Sequence, residues 1–337
     1  MRVGIVGAGI AGSLLAWRLA RAGAQVELAT GPAGLRDATA ASGGAVRGYE
    51  PLAEQRELAS ASLAELRADA TLRRWAGFRP LPTVIVGTAE DEALAGLDAR
   101  RIGERELAAL GWANLAPGTT AVLDDGGGRI DPGALRDAVL ADLADRATAR
   151  VAPRLAGEPD VLVYAAGAWT PGLLARAGLP TLGLRVKAIR YTVHRCRGPL
   201  PPIFSDGPLY GIPLDDGHLL AGVAAEEWGV TPGAPPPRPP ADVAAMLRRR
   251  LPGLRLGPPV RRADATDCYA DPPVLRLREV PGTGGRVRAF TGGSGGAAKT
   301  ALAASAKAAE QILAEVRHDR APADHPHHTQ EESRAHP

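Results

Sequence analysis

Cysteine is nearly absent from this chain. Cys196 and Cys268 are the only two, too few for a disulfide scaffold and in no metal-ligating spacing, so no metal site is read. So little thiol points to a reducing compartment, and the expected location is the cytoplasm. Lysine is scarce too: Lys187, Lys299 and Lys307 are the whole complement, and arginine supplies the remaining positive charge. Aromatic residues make up 4%, and no basic run is interleaved with them, which argues against a nucleic-acid partner. The net charge of +3 and pI near 9.1 come from arginines scattered among acids. No apolar stretch is long enough to span a bilayer, and no charged-then-apolar leader precedes Arg2, so no membrane partner is expected. No internal repeat is visible.

What the chain has is glycine and apolar bulk. A 45% hydrophobic content over 337 residues can bury a full core, in two lobes. The informative segment is the first: Arg2–Val6 reads as a buried strand, Gly7, Gly9 and Gly12 form a G-x-G-x-x-G turn, and Leu14, Leu15, Leu19 and Ala22 follow at helical spacing until Gly23. With the apolar run Val26–Ala29 this is a strand–helix–strand unit whose helix N-terminus, at Ile10 and Ala11, faces a pyrophosphate. The three glycines serve the tight turn, close backbone approach to phosphate, and close helix–strand packing. The acid expected to grip the ribose at the end of the second strand is replaced by Thr30. Glu27 points to the opposite face by strand alternation. A threonine hydroxyl makes one hydrogen bond where a carboxylate accepts two charge-assisted ones, so nucleotide binding is weaker or supplied elsewhere.

Further along, residues 30–48 read as a polar loop ending in Ala41-Ser-Gly-Gly-Ala-Val-Arg47. A helix with Leu52, Leu58, Leu63 and Leu66 on its apolar face follows. Residues 80–87 read as one strand, and residues 91–110 as small helices. Asp131 and Pro132 read as the cap and first position of a helix. Residues 159–170 read as a strand of the parallel sheet. Alternation in residues 184–194, 203–213 and 218–224 suggests an antiparallel sheet in a second lobe. Residues 232–240 form a proline-rich connector, and 242–251 a short helix. A last strand at 286–291 leads through Gly292-Gly-Ser-Gly-Gly-Ala-Ala-Lys299 into the final helix. The tail from His318 holds five of the seven histidines and is too polar to pack. The fold class is α/β: a Rossmann-like dinucleotide-binding domain, discontinuous over 1–78, 125–182 and 266–317, with an antiparallel-sheet substrate (cap) domain over 79–124 and 183–265 and a disordered tail at 318–337.

Four blocks in order resemble the D-amino acid oxidase, glycine oxidase and sarcosine oxidase superfamily: Gly7–Gly12, Ala41–Arg47, Asp160–Trp169 and Gly292–Lys299. A fifth, Leu209–Pro213, resembles that superfamily's active-site strand. The resemblance implies FAD rather than NAD. It implies contacts to FAD from Gly7, Gly9, Ile10, Ala11, Gly12 and Thr30, from Ser42, Gly43 and Gly44, from Ala166 and Gly167, and from Gly293, Ser294, Gly295, Gly296 and Ala297. The second glycine turn is expected to offer backbone N–H groups to the flavin's pyrimidine edge. Tyr210 and Tyr269 are implied to line the substrate pocket. Arg47 and Lys299 are implied to pair an acidic group there. Trp169 is read as core. Cys268 stands near the interval at which sarcosine oxidase-like members tether FAD covalently; a buried inert thiol is the alternative.

Two positions depart from the pattern. Leu220 falls where sarcosine oxidase-like members carry a lysine that promotes reaction with oxygen. Tyr269 falls where D-amino acid oxidase-like members clamp the carboxylate with arginine. The expected activity is therefore oxidation of a C–N bond of an amine or (N-substituted) amino acid to an imine, with oxygen or another electron acceptor. An FAD-dependent dehydrogenase or monooxygenase of a specialised metabolite, or a non-catalytic flavoprotein subunit, are the alternatives.

Overall fold

Val3 and Ile5, each at most 1% exposed, place the strand Arg2–Val6 in the middle of a sheet rather than at its edge. The computed structural model describes residues 1–32, 37–214, 217–233 and 242–320. In it, six strands lie in the order Arg276–Glu279, Val287–Thr291, Val161–Tyr164, Arg2–Val6, Gln25–Ala29 and Ala149–Ala152. All neighbours are parallel except the first pair. The helix Ile10–Arg21 buries Leu14, Leu15 and Leu19 completely, each contributing about 1.5–3 kcal/mol. Its neighbours are the helices Pro132–Ala144 and Ala297–Arg320. Arg18 ties three helices together: its Nη2 donates to both oxygens of Glu65 and to the Leu302 carbonyl, and its Nε to Ser305 Oγ.

A second sheet of eight strands runs in the order Arg255–Tyr269, Arg185–Arg197, His218–Val223, Leu209–Pro213, Ile203–Asp206, Thr83–Val86, Ala121–Asp124 and Ala99–Ile102. It is antiparallel apart from one parallel pair, Ile203–Asp206 with Thr83–Val86. A small third sheet joins Ala45–Val46, Gly128–Arg129 and Arg79–Pro80.

Several local expectations change. Residues 80–87 are two strands in different sheets, broken around Leu81 and Pro82, because proline gives up a ladder donor. Ala99–Ile102 is a strand within the stretch expected to be helical. Leu52 is the N-cap of the helix Ala53–Ala68 and is 37% exposed, not part of its apolar face. The loop expected at 30–48 contains a one-turn helix, Ala38–Ala41, capped by Asp37, whose side chain accepts from the Ala40 N–H. Asp131 caps its helix as expected, accepting from the Ala134 N–H at 2.9 Å. The final helix continues to Arg320, past the expected start of the tail. The tail beyond it and the connector at 234–240 lie outside the described residues. Among the described residues, no helix is long and apolar enough to cross a membrane.

Candidate active site

The glycine turn is built by close approach. Gly7 sits at φ +115°, where a side chain is strained, and a Cβ there would lie 2.6 Å from the Ala165 carbonyl oxygen. A Cβ at Gly12 would lie 1.9 Å from the Gly7 carbonyl oxygen, so the helix can pack onto the turn only through glycine. Gly9 differs: it is extended, and a Cβ there would meet only Thr39 Oγ1, at 3.3 Å. Its side-chain space opens into the cavity beside the helix N-terminus, to which Gly9 itself brings no capping side chain. Thr39 also accepts from the Ile10 N–H at 3.0 Å.

This cavity, of about 880 Å³, runs from the glycine turn to the eight-stranded sheet. Gly7, Gly9, Ile10, Ala11, Thr30, Ser42, Gly43, Gly44, Ala166, Gly167, Gly293, Gly295, Gly296 and Ala297 all line it, and so do Arg47, Tyr210, Tyr269 and Lys299. Gly12, Ser294 and Cys268 do not. Gly12 is buried behind the turn. Ser294, at φ +52°, turns its hydroxyl to the Gly292 carbonyl. Trp169, expected in the core, is half-buried and lines the cavity.

Cys268 is fully buried among Leu174, Leu184, Val280 and Ala289. Strand alternation aims its neighbours Asp267 and Tyr269 at the cavity and the thiol away from it. Burial pushes the thiol up to about 11, so the nucleophilic thiolate is scarce. Cys268 is thus placed as a packing residue and not as a tether. Two outcomes follow: acid precipitation should release flavin to the supernatant, and a disulfide reagent should titrate no thiol in the native protein and two after denaturation, Cys196 being buried as well. A pellet that stays yellow would restore the tether.

Tyr210 owes its place to a glycine. It is paired with Gly222 across the sheet, where a Cβ would lie 2.3 Å from the phenol oxygen. Without one, the phenol lies across the strand and donates to the Arg190 carbonyl at 3.0 Å. Burial, with Tyr191 and Tyr269 nearby, pushes its ionisation well above the ordinary tyrosine value. Tyr269 is pushed up to about 12 by burial, then by Asp267 and Glu226. Both phenols remain protonated donors near neutral pH, so neither can act as a general base there.

The acid that Arg47 and Lys299 face belongs to the protein. Glu50, 4% exposed, holds Arg47 Nη2 at 2.9 Å and Lys299 Nζ at 2.6 Å through the same oxygen. Arg47 Nε donates to the Tyr49 carbonyl at 3.1 Å, so its Nε–Nη2 edge is already engaged by the protein. Burial would raise the Glu50 carboxyl, but Lys299 and Arg47 outweigh it and hold it below its ordinary value. The Lys299 ammonium is lowered by burial and by Arg47, against the pull of Glu50.

The second glycine turn also differs from expectation. Its N–H groups are largely spent internally: Ser294 N–H on the Cys268 carbonyl, Gly296 N–H on the Gly293 carbonyl, and Gly295 N–H on Asp267 Oδ2 at 2.7 Å. The Lys299 N–H also bonds the Gly296 carbonyl, so the helix's donors left to face a ligand are those of Ala297 and Ala298. Asp267 is buried and lines the cavity, with its carboxyl raised by burial against hydrogen bonds from Gly295 and Cys268. Glu50 and Asp267 went unnoticed in the sequence because neither belongs to a local motif.

Thr30 lines the cavity, exposed, its hydroxyl donating to the Gly31 carbonyl at 3.2 Å. Glu27 is engaged elsewhere, by Arg150 at 2.5 Å and the Ala156 N–H at 2.9 Å, so alternation does turn it away.

A glycine turn at a parallel-sheet helix, joined through one cavity to a mixed-sheet cap, defines a dinucleotide-binding oxidoreductase fold. The model of the DAO family, FAD dependent oxidoreductases, matches residues 2–311, and the chain belongs to that family. FAD is its cofactor, and the empty side-chain space of Gly9 and the opening of the helix N-terminus fit it. Glycine oxidase from Geobacillus kaustophilus is similar in structure, with a TM-score of 0.71, 21% identity, and coverage of 92% of this chain and 95% of that one. L-proline dehydrogenase from P. horikoshii has a TM-score of 0.76 at 15% identity, covering 93% of each chain. NikD, described as an unusual amino acid oxidase essential for nikkomycin biosynthesis, has a TM-score of 0.71 at 18% identity, covering 96% and 95%. At such identities the likeness establishes the fold. No curated protein matches the chain in sequence.

Proposed function

We propose that this flavoprotein oxidises a C–N bond of an amine or amino acid to an imine, which water then hydrolyses. The observation that carries the reading is the single cavity joining the Gly7–Gly12 turn to Tyr210 and Tyr269. FAD, when bound, supplies the two-electron oxidation, taking a hydride equivalent from the carbon beside nitrogen. Residues lining the near end, from Gly7, Gly9, Ile10 and Ala11 through Ser42, Gly43, Ala166 and Gly167, would hold the cofactor, with Gly12 keeping the helix against the turn. The protein's own part is to orient the substrate and exclude water. Tyr210 and Tyr269 supply a rigid, protonated, largely buried wall. The solved relatives named as glycine oxidase and amino acid oxidase support the substrate class.

The acceptor is oxygen or another oxidant. Leu220, 2% exposed and lining the cavity, puts an apolar side chain where a cation would assist oxygen, which favours slow use of oxygen.

Anaerobic titration of the yellow protein with primary, secondary and N-methyl amines and amino acids tests the reaction. Bleaching of the flavin with release of the matching carbonyl compound is expected. No bleaching by any of them would leave a flavoprotein of another reaction. Thr30→Glu tests the hold on the cofactor: adding the carboxylate grip should tighten FAD by about 1–2 kcal/mol, measured by fluorescence titration of the apoprotein. An unchanged affinity would place the ribose elsewhere.

A further inference from the structure

Most cations around the cavity are already matched by carboxylates. Arg47 and Lys299 share Glu50. On the cap sheet, Arg190 gives Nη1 and Nη2 to Glu227 at 2.8 and 2.6 Å, and its Nε lies 3.3 Å from Asp264. Lys187, three residues back along the strand Arg185–Arg197, is held differently. Its ion-pair partner, Glu226, stands 3.7 Å away, beyond hydrogen-bond length, and is 79% exposed. The lysine side chain is only 12% exposed. Its ammonium lies 4.7 Å from the Trp228 ring and 5.6 Å from the Tyr269 ring, which meet edge to face. Asp267, opposite Lys187 in the strand ladder, has its oxygens on the backbone N–H groups of Gly295 and Cys268.

We infer that Lys187 is the cation that receives a carboxylate of the substrate, at the cap end of the cavity beside Tyr269. A largely buried ammonium without a close anion is costly, and the aromatic faces offset only part of that cost. An incoming carboxylate would meet an ammonium held between two aromatic faces, displacing only the distant, solvated Glu226. The substrate is then an amine that carries an acidic group, with Lys187 selecting for the acid. This rests on the proposed amine or amino-acid reading, and it moves the anion-binding role from Arg47 and Lys299 to a residue the sequence did not single out.

Benzoate, which has no C–N bond to oxidise, is the probe, with benzamide as its uncharged counterpart. Each is titrated into the FAD-loaded protein and followed through the visible flavin spectrum, without turnover. The wild type should bind benzoate in preference to benzamide. Lys187→Met should weaken benzoate roughly ten- to a hundredfold, the range for a hydrogen bond to a charged group, and leave benzamide unchanged. Lys187→Arg should retain most of the affinity. Melting curves and flavin content confirm that both variants are folded and loaded. Equal binding of benzoate by wild type and Lys187→Met, or no preference over benzamide, would overturn the inference. So would a loaded protein that ignores benzoate while amines still bleach it, which leaves the functional reading standing. A protein that bleaches with no amine fails that reading instead.

Discussion

Gly9→Val should give a folded protein that holds flavin loosely. The backbone at Gly9 is extended, a conformation valine adopts readily, and its Cβ would meet only Thr39 Oγ1. The side chain would instead fill the space beside the helix N-terminus that the cofactor's phosphates need. Overpacking of this kind costs about 1–3 kcal/mol, so FAD affinity should fall by roughly one to two orders of magnitude. Visible absorbance of the purified protein and far-ultraviolet circular dichroism separate loss of cofactor from loss of fold. Gly12→Val is the contrasting case: with its Cβ 1.9 Å from the Gly7 carbonyl oxygen, it should unfold the turn itself. A Gly9→Val protein that binds FAD as tightly as the wild type would mean that FAD does not lie over this turn.

The second large effect belongs to Glu50. Glu50→Gln would leave Arg47 and Lys299 as neighbouring buried cations with no carboxylate between them. Removing one partner of a buried ion pair costs about 3–5 kcal/mol, to be read from urea unfolding at pH 7. The pH dependence has a definite sign. The Glu50 carboxyl is held below its ordinary 4.5 in the folded protein, so its contribution is complete above that value and is lost as the pH falls through the folded one. The gap between wild type and Glu50→Gln should therefore close on acidification. Lys299 acts the other way. Its folded value is lowered from 10.5, so the unfolded chain binds that proton more readily, and stability rises with pH in the interval below 10.5. Without Glu50 that lowering deepens, and the variant should regain stability in mild alkali more than the wild type does. Equal stability of the two proteins at pH 7 would show that the three charges are not coupled.

What could be read from the sequence was local. The strand, glycine turn and helix at the start need only spacing within thirty residues, and the structure has them as expected. The Asp131 cap and the alternating strands of the second lobe are local in the same sense. The long strand Arg255–Tyr269 was not legible, because it lies at a sheet edge, carries Pro258 and Pro259, and exposes most of its first half, which blurs any alternation. Cys268 and its neighbour Tyr269 were both expected at the site, but successive strand residues point to opposite faces, and only Tyr269 lines the cavity while Cys268 faces the core. Glu50 was invisible for another reason. Its partner Lys299 is brought to it only when the last helix docks, and no pattern around Ala45–Glu50 records that meeting.

The bonds from Arg18 to Leu302 and Ser305 bear on how the molecule is made. The opening helix and the final helix are hydrogen-bonded across 287 residues of sequence. On a ribosome, at roughly 5–20 residues per second, the opening helix would wait on the order of 15–60 s for that partner. Until then its Leu14, Leu15 and Leu19 face has only part of its cover, and the wall of the cavity formed by Gly293–Lys299 does not exist. Cofactor capture therefore waits until residues 293–299 have been made, and a shortage of FAD would be met by a chain already carrying both glycine turns rather than by its opening segment alone.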